Sequence, residues 1–279
     1  MERDDASLLQ LKHAPLGKKS AYISHYQRDL LFPIPRKLKR EEIGIIGTLP
    51  FSGHDIWNGY ELSWLNAKGK PVVACAEFII PCESPNLIES KSFKLYLNSF
   101  NNTLFDSLET VAAILMHDLS ESAGAPVAVK LYELNQAPLS LFSTLAGINL
   151  DAQDIACDTY TTTPEFLTTH TTIIEETLQS NLLKSNCLVT GQPDWGSVQI
   201  TYTGKQIDHE CLLKYIVSFR NHDEFHEQCV ERIFNDILTR CQPEKLMVYA
   251  RYTRRGGLDI NPFRSNMPIE VANQRLVRQ

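Results

Sequence analysis

Two stretches of this chain run through the same order of elements, and that repetition constrains the fold more than any single residue does. In the first stretch, residues 56–65 and 72–80 are strand-like on either side of Lys68-Gly69-Lys70-Pro71, which is the signature of a β-hairpin. Helical spacing follows over 89–100 and 108–115, and 126–132 returns to strand. In the second stretch, 197–202 alternates as a strand and Gly204 reads as a turn. Residues 212–220 and 225–239 then read as helices and 245–252 as a strand. A residual echo supports the repeat: Tyr96, Ser99, Phe100 and Asn102 recur in register as Tyr215, Ser218, Phe219 and Asn221.

The reading is a tandem duplication of a hairpin, two helices, hairpin unit. Each module is then an α+β structure, an antiparallel β-sheet with two helices packed on one face. The expected organisation is an N-terminal arm over 1–45, a first module over 46–150, a connector over 151–180 and a second module over 181–279. The connector begins with a Thr/Asp-rich run from Asp151 to Thr172. Sheet edges and an uncovered face invite assembly with another copy, so a homodimer is expected.

Composition narrows the partners. The 279 residues suit about two domains of roughly 150 residues each. A hydrophobic share of 43% with 22% charged residues is ordinary for a soluble protein. There is no apolar run long enough to span a bilayer, and the first residues lack a secretory pattern, so no membrane partner and a cytoplasmic address are expected. Seven cysteines without a C-x-x-C pair argue against a disulfide framework or a zinc ribbon and read as free thiols. A net charge of −6 speaks against direct nucleic-acid binding, which needs a basic field. An anionic ligand must therefore meet local basic clusters. Neither G-x-G-x-x-G nor a P-loop occurs, so a nucleotide would have to bind by another route.

The stretch from Ser185 to Gly196 carries the sharpest chemical signal. It sets Cys187 and Asp194 either side of the turn formers Gly191 and Pro193, so the chain can fold back and bring a carboxyl toward a thiol. A nucleophile facing a proton donor is a minimal covalent-catalysis pair, and Asn186, Thr190 and Gln192 offer the polar, partly exposed setting a thiolate needs. The bland alternative is a small buried hydrophobe.

Three further clusters stand out. Lys91 and Lys94, with Ser90 and Ser92, open a helix whose N–H groups could attract phosphate, though a solvated helix face accounts for the same residues. Arg251, Arg254 and Arg255 before Gly256-Gly257 could clamp phosphate while the glycines admit a ligand to the backbone, or could form a plain turn. The third is His222-Asp223-Glu224-Phe225-His226-Glu227. His222 and His226 could join Cys187 around zinc. Alternatively, Glu227 could accept from two adjacent N–H donors of a guanine-like edge beside His226. The run could also be a helix start capped by Asn221 or Asp223.

Taken together, Glu89-Ser90-Lys91-Ser92-Phe93-Lys94-Leu95-Tyr96, the Cys187 to Asp194 loop, Ser218 to His222, Phe225-His226-Glu227 and Tyr252-Thr253-Arg254-Arg255-Gly256-Gly257 resemble the NADPH-dependent 7-cyano-7-deazaguanine reductase (QueF) family in its two-module form. The likeness runs from Leu16-Gly17-Lys18 to the Arg-Leu-Val-Arg-Gln at the end. It implies a tandem tunnelling fold (T-fold) and reduction of the nitrile of 7-cyano-7-deazaguanine (preQ0) to the aminomethyl group of preQ1, a step of queuosine biosynthesis.

Residue by residue, the resemblance implies that Cys187 forms a covalent thioimide and that Asp194 protonates the nitrogen. It places substrate contacts on Ile88, Glu89, Ser90, His226 and Glu227, and NADPH contacts on Ser90, Lys91, Arg255 and Gly256. The first module lacks its own Cys to Asp loop and the second lacks the Glu-Ser-Lys-Ser motif, so one complete site per chain is expected. A zinc-dependent cyclohydrolase-like enzyme and a noncatalytic purine- or pterin-binding module are the alternatives.

Overall fold

The structure, a computed structural model, describes residues 22–135 and 142–279. Lys18-Lys19 and Leu16-Gly17-Lys18 lie outside the described residues. The strands are β1 Pro33–Pro35, β2 Ser52–Leu65, β3 Pro71–Pro81, β4 Asn86–Ile88, β5 Ala128–Glu133, β6 Phe142–Ser143, β7 Ile148–Asn149, β8 Thr169–Ser180, β9 Lys184–Asn186, β10 Pro193–Ile207, β11 Lys245–Tyr252, β12 Leu258–Ser265 and β13 Arg275–Leu276. The α-helices are α1 Lys37–Glu42, α2 Ser90–Ser99, α3 Leu108–Ala123, α4 His209–Ser218 and α5 His226–Cys241. The chain divides into two compact units, neither of them continuous in sequence. Residues 22–42, 55–135 and 254–259 belong to the first, and 43–54, 142–253 and 260–279 to the second.

In the first unit, β2 and β3 are neighbours joined by a turn in which the Asn66 side chain accepts from the N–H groups of Lys68 and Lys70 at 3.0 and 3.1 Å. β5 pairs antiparallel with β3, with Phe78 opposite Val129. Trp57 and Phe78 meet Phe93 of α2 with ring centres 5.2 and 4.9 Å away. On α3, Val111, Leu115 and Leu119 are fully buried at four-residue spacing, one stripe of the helix. Burying each contributes roughly 1.5–3 kcal/mol. Ser107 caps the start of α3 by accepting from the Thr110 N–H at 3.1 Å, and Gly124 ends it at φ +74°.

In the second unit the order is β12, β11, β10, β8, β7. β10 pairs antiparallel with β11 from Gly196 opposite Tyr252 to Thr203 opposite Lys245, and with β8 from Val198 opposite Ser180. β7 joins β8 in parallel, and β13 pairs in parallel with β6. α5 buries Val230, Ile233, Phe234 and Ile237, with the Phe234 ring edge-on to Phe51 at 5.3 Å. The molecule is thus a mixed α+β structure whose sheets are mainly antiparallel, as expected.

Two local expectations are corrected. Gly204 is not a turn: β10 runs on to Ile207, and the glycine is there because a Cβ would lie 2.9 Å from the Pro243 Cα. The start of α5 is capped neither by Asn221 nor by Asp223. Phe225 occupies the N-cap, and its N–H donates to the Gln228 side chain at 3.4 Å. Residues 169–180, within the expected connector, form β8. Among the described residues no helix is long and apolar enough to cross a membrane.

Candidate active site

In the second unit, β9 and the start of β10 form a short hairpin, with Asp194 opposite Ser185 and Pro193 opposite Asn186. Residues 187–192 close it. The Cys187 N–H donates to the Gln192 carbonyl at 2.8 Å, and the Gly191 N–H donates back to the Cys187 carbonyl at 2.9 Å. Gly191 sits at φ +64°, which a glycine adopts without penalty. The bend expected between Cys187 and Asp194 is therefore present.

Ser185 and Asp194, opposite each other, share one face of this hairpin and are buried, as is Cys187 just beyond β9, while Pro193 and Trp195 are exposed. Cys187 is 3% exposed, which corrects the expectation of a partly exposed thiol. The polar neighbours invoked for it are otherwise disposed: Asn186 accepts from the Lys184 ammonium at 2.5 Å, and Thr190 and Gln192 are exposed on the loop.

His226, the first residue of α5, completes this cluster. Its Nε2 lies 3.3 Å from Asp194 Oδ2, while its Nδ1 is buried without a hydrogen-bond partner among the described residues. The imidazole stacks on the Tyr252 ring at 3.8 Å with 1° between the planes. Burial pushes the Tyr252 phenol well above its usual range, with the neighbouring Cys229, Asp194 and Glu224 adding to the effect, so it stays neutral. An acid and an imidazole in contact, one nitrogen still open and both shielded from water, can hold and pass a proton. Glu227, next in α5, is also buried.

Behind the hairpin lies a second network. The Glu224 carboxylate takes Arg232 Nε at 3.0 Å and Nη2 at 2.8 Å, and His222 Nε2 is 2.9 Å away. Burial alone would raise the Glu224 carboxyl, but the His222 and Arg232 hydrogen bonds and the Arg232 charge outweigh it and bring it from 4.5 down to about 2. This segment grips the hairpin by its backbone: the Asn186 N–H donates to the His222 carbonyl at 2.8 Å, and the Glu224 N–H donates to the Asn186 carbonyl at 3.1 Å. His222, Glu224 and Cys229 place ligand atoms within 4.8 Å of one another. That differs from the set of Cys187, His222 and His226 that spacing offered as an alternative zinc site. Glu224 is here engaged by Arg232 and His222, so a cation would have to displace the guanidinium to reach it.

The remaining expected residues lie in the first unit. Ile88, buried, ends β4 opposite Pro33 of β1. Glu89 is the N-cap of α2, its two carboxylate oxygens accepting from the Lys91 and Ser92 N–H groups at 2.7 Å each. Burial raises its carboxyl despite those bonds. The Lys91 and Ser92 N–H groups that the sequence offered to a phosphate are thus taken by the protein's own carboxylate. The Ser90 hydroxyl lies 3.5 Å from the same carboxylate.

Arg255 and Leu258 bracket a two-residue turn, exchanging backbone hydrogen bonds at 2.8 and 3.1 Å. Gly256 and Gly257 fill it at φ +58° and +78°, the left-handed pair that such a hairpin requires. The Lys94 ammonium donates to the Gly256 carbonyl at 2.9 Å and pairs with Glu61 at 3.1 Å, and the Arg254 guanidinium lies 4.8 Å over the Tyr60 ring. Arg251 does not belong to this basic cluster. It is buried, with Nε donating to the Gln279 side chain at 2.7 Å and Nη1 to Asn273 at 3.0 Å. Sequence reasoning gave Tyr252, Glu224 and Arg232 no role: Tyr252 meets His226 from a separate strand, and the Glu224 pair with Arg232 forms only once α5 folds.

Comparison with known proteins identifies the family. Residues 22–131 match the family model described as "Nitrile reductase, 7-cyano-7-deazaguanine-reductase N-term", and 193–270 match that of "QueF-like protein". These two models define the class, the QueF-type nitrile reductases. Over 269 residues the chain is 61% identical to the NADPH-dependent 7-cyano-7-deazaguanine reductase of Dechloromonas aromatica, covering 95% of each chain. It is 60% identical to that of Burkholderia multivorans, covering 96% of this chain and 99% of the relative. A solved structure, the archaeosine synthase QueF-Like in the apo form, is similar over 36% of this chain and 99% of its own, at 14% identity and a TM-score of 0.31, too low to bear on the fold. The chain belongs to the NADPH-dependent 7-cyano-7-deazaguanine reductase family.

Proposed function

We propose that this chain reduces the nitrile of preQ0 to the primary amine of preQ1, using NADPH, with Cys187 as nucleophile. A nitrile accepts hydride poorly. Addition of the Cys187 thiolate to its carbon, with the nitrogen taking a proton from Asp194, produces a thioimide whose carbon is more electrophilic. NADPH, when bound, supplies hydride, and a nitrile needs two such two-electron steps to become an amine, so two NADPH are consumed per turnover. Between them the C–S bond breaks and the electron pair returns to Cys187 as thiolate. His226, in contact with Asp194, restores the proton on the acid and orients it. Burial of all three keeps water from the imine that is released.

Glu89, Ser90, Ile88 and Glu227 are assigned to the substrate, and Ser90, Lys91, Arg255 and Gly256 to NADPH. The donor set suits that cofactor: a hydroxyl, an ammonium and a guanidinium beside a turn without Cβ atoms match the oxygens of phosphate groups. The same reading takes the modules over 46–150 and 181–279 as tandem T-folds, the protein as a cytoplasmic homodimer, and its substrate as the free base with no direct nucleic-acid contact.

The observation that supports the proposal is the turn that folds the chain back between a buried Cys187 and a buried Asp194, with His226 against the acid. Mass spectrometry of the protein incubated with preQ0 and no reductant tests it. A gain equal to the intact nitrile is expected in the wild type and not in Cys187→Ala. No gain, or one that survives the substitution, would overturn it.

A further inference from the structure

The segment Arg275–Gln279 contributes side chains to the heart of the second unit. Gln279 is 7% exposed, and its amide is fully engaged. Its Oε1 accepts from Arg251 Nε at 2.7 Å and from the Leu276 N–H at 3.2 Å, while its Nε2 donates to the Tyr252 carbonyl at 2.9 Å and to the Asn261 side chain at 2.7 Å. Next to it, Arg278 Nη2 donates to the carbonyls of Asn181 and Gly196 at 2.8 and 3.0 Å and to the Ser197 hydroxyl at 3.2 Å. The Arg275 guanidinium closes the loop on the Gln279 carbonyl at 3.1 Å.

Two of the backbone carbonyls held in this way, those of Gly196 and Tyr252, belong to facing residues. Gly196 stands opposite Tyr252 in the β10–β11 register. Gly196 lies two residues beyond Asp194, and its missing side chain makes room for the Tyr252 ring, which a Cβ would approach to 3.2 Å. Tyr252 in turn is the platform on which the His226 imidazole lies.

We infer that Gln279 and Arg278 are positioning residues for the acid–imidazole pair: together they clamp both sides of the Gly196–Tyr252 pair and so set the ring against which His226 faces Asp194. The clamp touches no substrate, and its catalytic consequence rests on the roles given above to Cys187, Asp194 and His226. A register pair tied at both carbonyls cannot slide or splay, and a stacked imidazole follows its platform. Displacement of catalytic groups by about 1 Å can cost as much as a hundredfold in rate.

Gln279→Glu separates this role from simple stabilisation. A carboxylate still accepts from Arg251 and Leu276, but it has no N–H to give Tyr252 and Asn261. Arg278→Met removes the other half of the clamp and leaves Gln279 in place. Each variant is examined as the full chain by NMR of labelled histidine, with the His226 resonance assigned by His226→Asn, and by the rate of nitrile adduct formation. In the wild type the parallel Tyr252 ring should shift the His226 ring protons upfield. The expected result is that both variants lose part of that shift and slow adduct formation about tenfold or more, with the KM for NADPH unchanged. Unchanged His226 resonances in both variants would overturn the inference. A wild-type protein that formed no adduct would instead sink the roles assigned to Cys187 and Asp194, and the resonances would still decide the clamp.

Discussion

Arg232→Met should be among the most damaging single substitutions outside the reacting groups. Arg232 meets Glu224 through two hydrogen bonds, at 3.0 and 2.8 Å, and the carboxylate side chain is 1% exposed. Removing the guanidinium leaves a buried charge with only His222 to answer it, and breaking a buried pair in this way costs about 3–5 kcal/mol. The lower end applies here, about 3 kcal/mol, because Arg232 reaches the solvent rim at 15% exposure and His222 remains in contact. Against a total stability of roughly 5–15 kcal/mol the protein stays folded but loses much of its margin.

The loss reaches the proposed nucleophile, Cys187, as well, since the backbone of 222–224 holds Asn186, the residue before it, from both its N–H and its carbonyl. Urea unfolding at pH 7, with the slope compared between variants, reads the stability term. The double variant Glu224→Gln with Arg232→Met removes the stranded charge and should recover most of the loss. A loss below about 1 kcal/mol in Arg232→Met, or a double variant no more stable than that single one, would refute the reasoning.

The same pair makes an acid limit. Since the Glu224 carboxyl falls from 4.5 to about 2 on folding, its contribution is fully present above pH 4.5 and is lost as pH falls from there toward 2, a difference of about 3 kcal/mol that pH-dependent urea titration should find reduced in Arg232→Met. In the basic turn of the first unit, Gly257→Ala must accept φ +78° and a Cβ 2.4 Å from the Glu61 carboxyl carbon, so about 1–2 kcal/mol of strain should raise the KM for NADPH while adduct formation without cofactor proceeds at its normal rate. Asp118 accepts from the Tyr96 and Tyr26 hydroxyls at 2.6 and 2.7 Å. Asp118→Ala should cost about 1–3 kcal/mol in thermal unfolding. Ultraviolet titration should also show the Tyr26 phenol, pushed up to about 12 by burial and by Asp118, returning toward 10.

What could be read from the sequence and what could not divide along a physical line. The hairpin of β2 and β3, the helices of both units and the Cys187 to Asp194 bend were legible because local rules govern them: period-two and helical spacing, and turn formers at Gly191 and Pro193. Wherever a residue's role depends on a partner far along the chain, local pattern misled. Gly204 resembled a turn and is a contact with Pro243. Arg251 resembled a phosphate ligand and is an internal brace on Gln279. The Thr-rich residues before Ser180 resembled a linker, although β-branched side chains also suit a strand, and pairing with β10 settles the matter.

The candidate site follows the same division. The groups proposed to react stood out because they are polar types gathered within short motifs, whereas what holds them is fixed only by folding: Tyr252 under His226, Arg232 beside Glu224. A chain that kept Cys187, Asp194 and His226 but lost those supports would still carry the three side chains and would lack the geometry. Substitutions at Tyr252 and Arg232 therefore measure how far function resides in the motif residues, and how far in the packing that aims them.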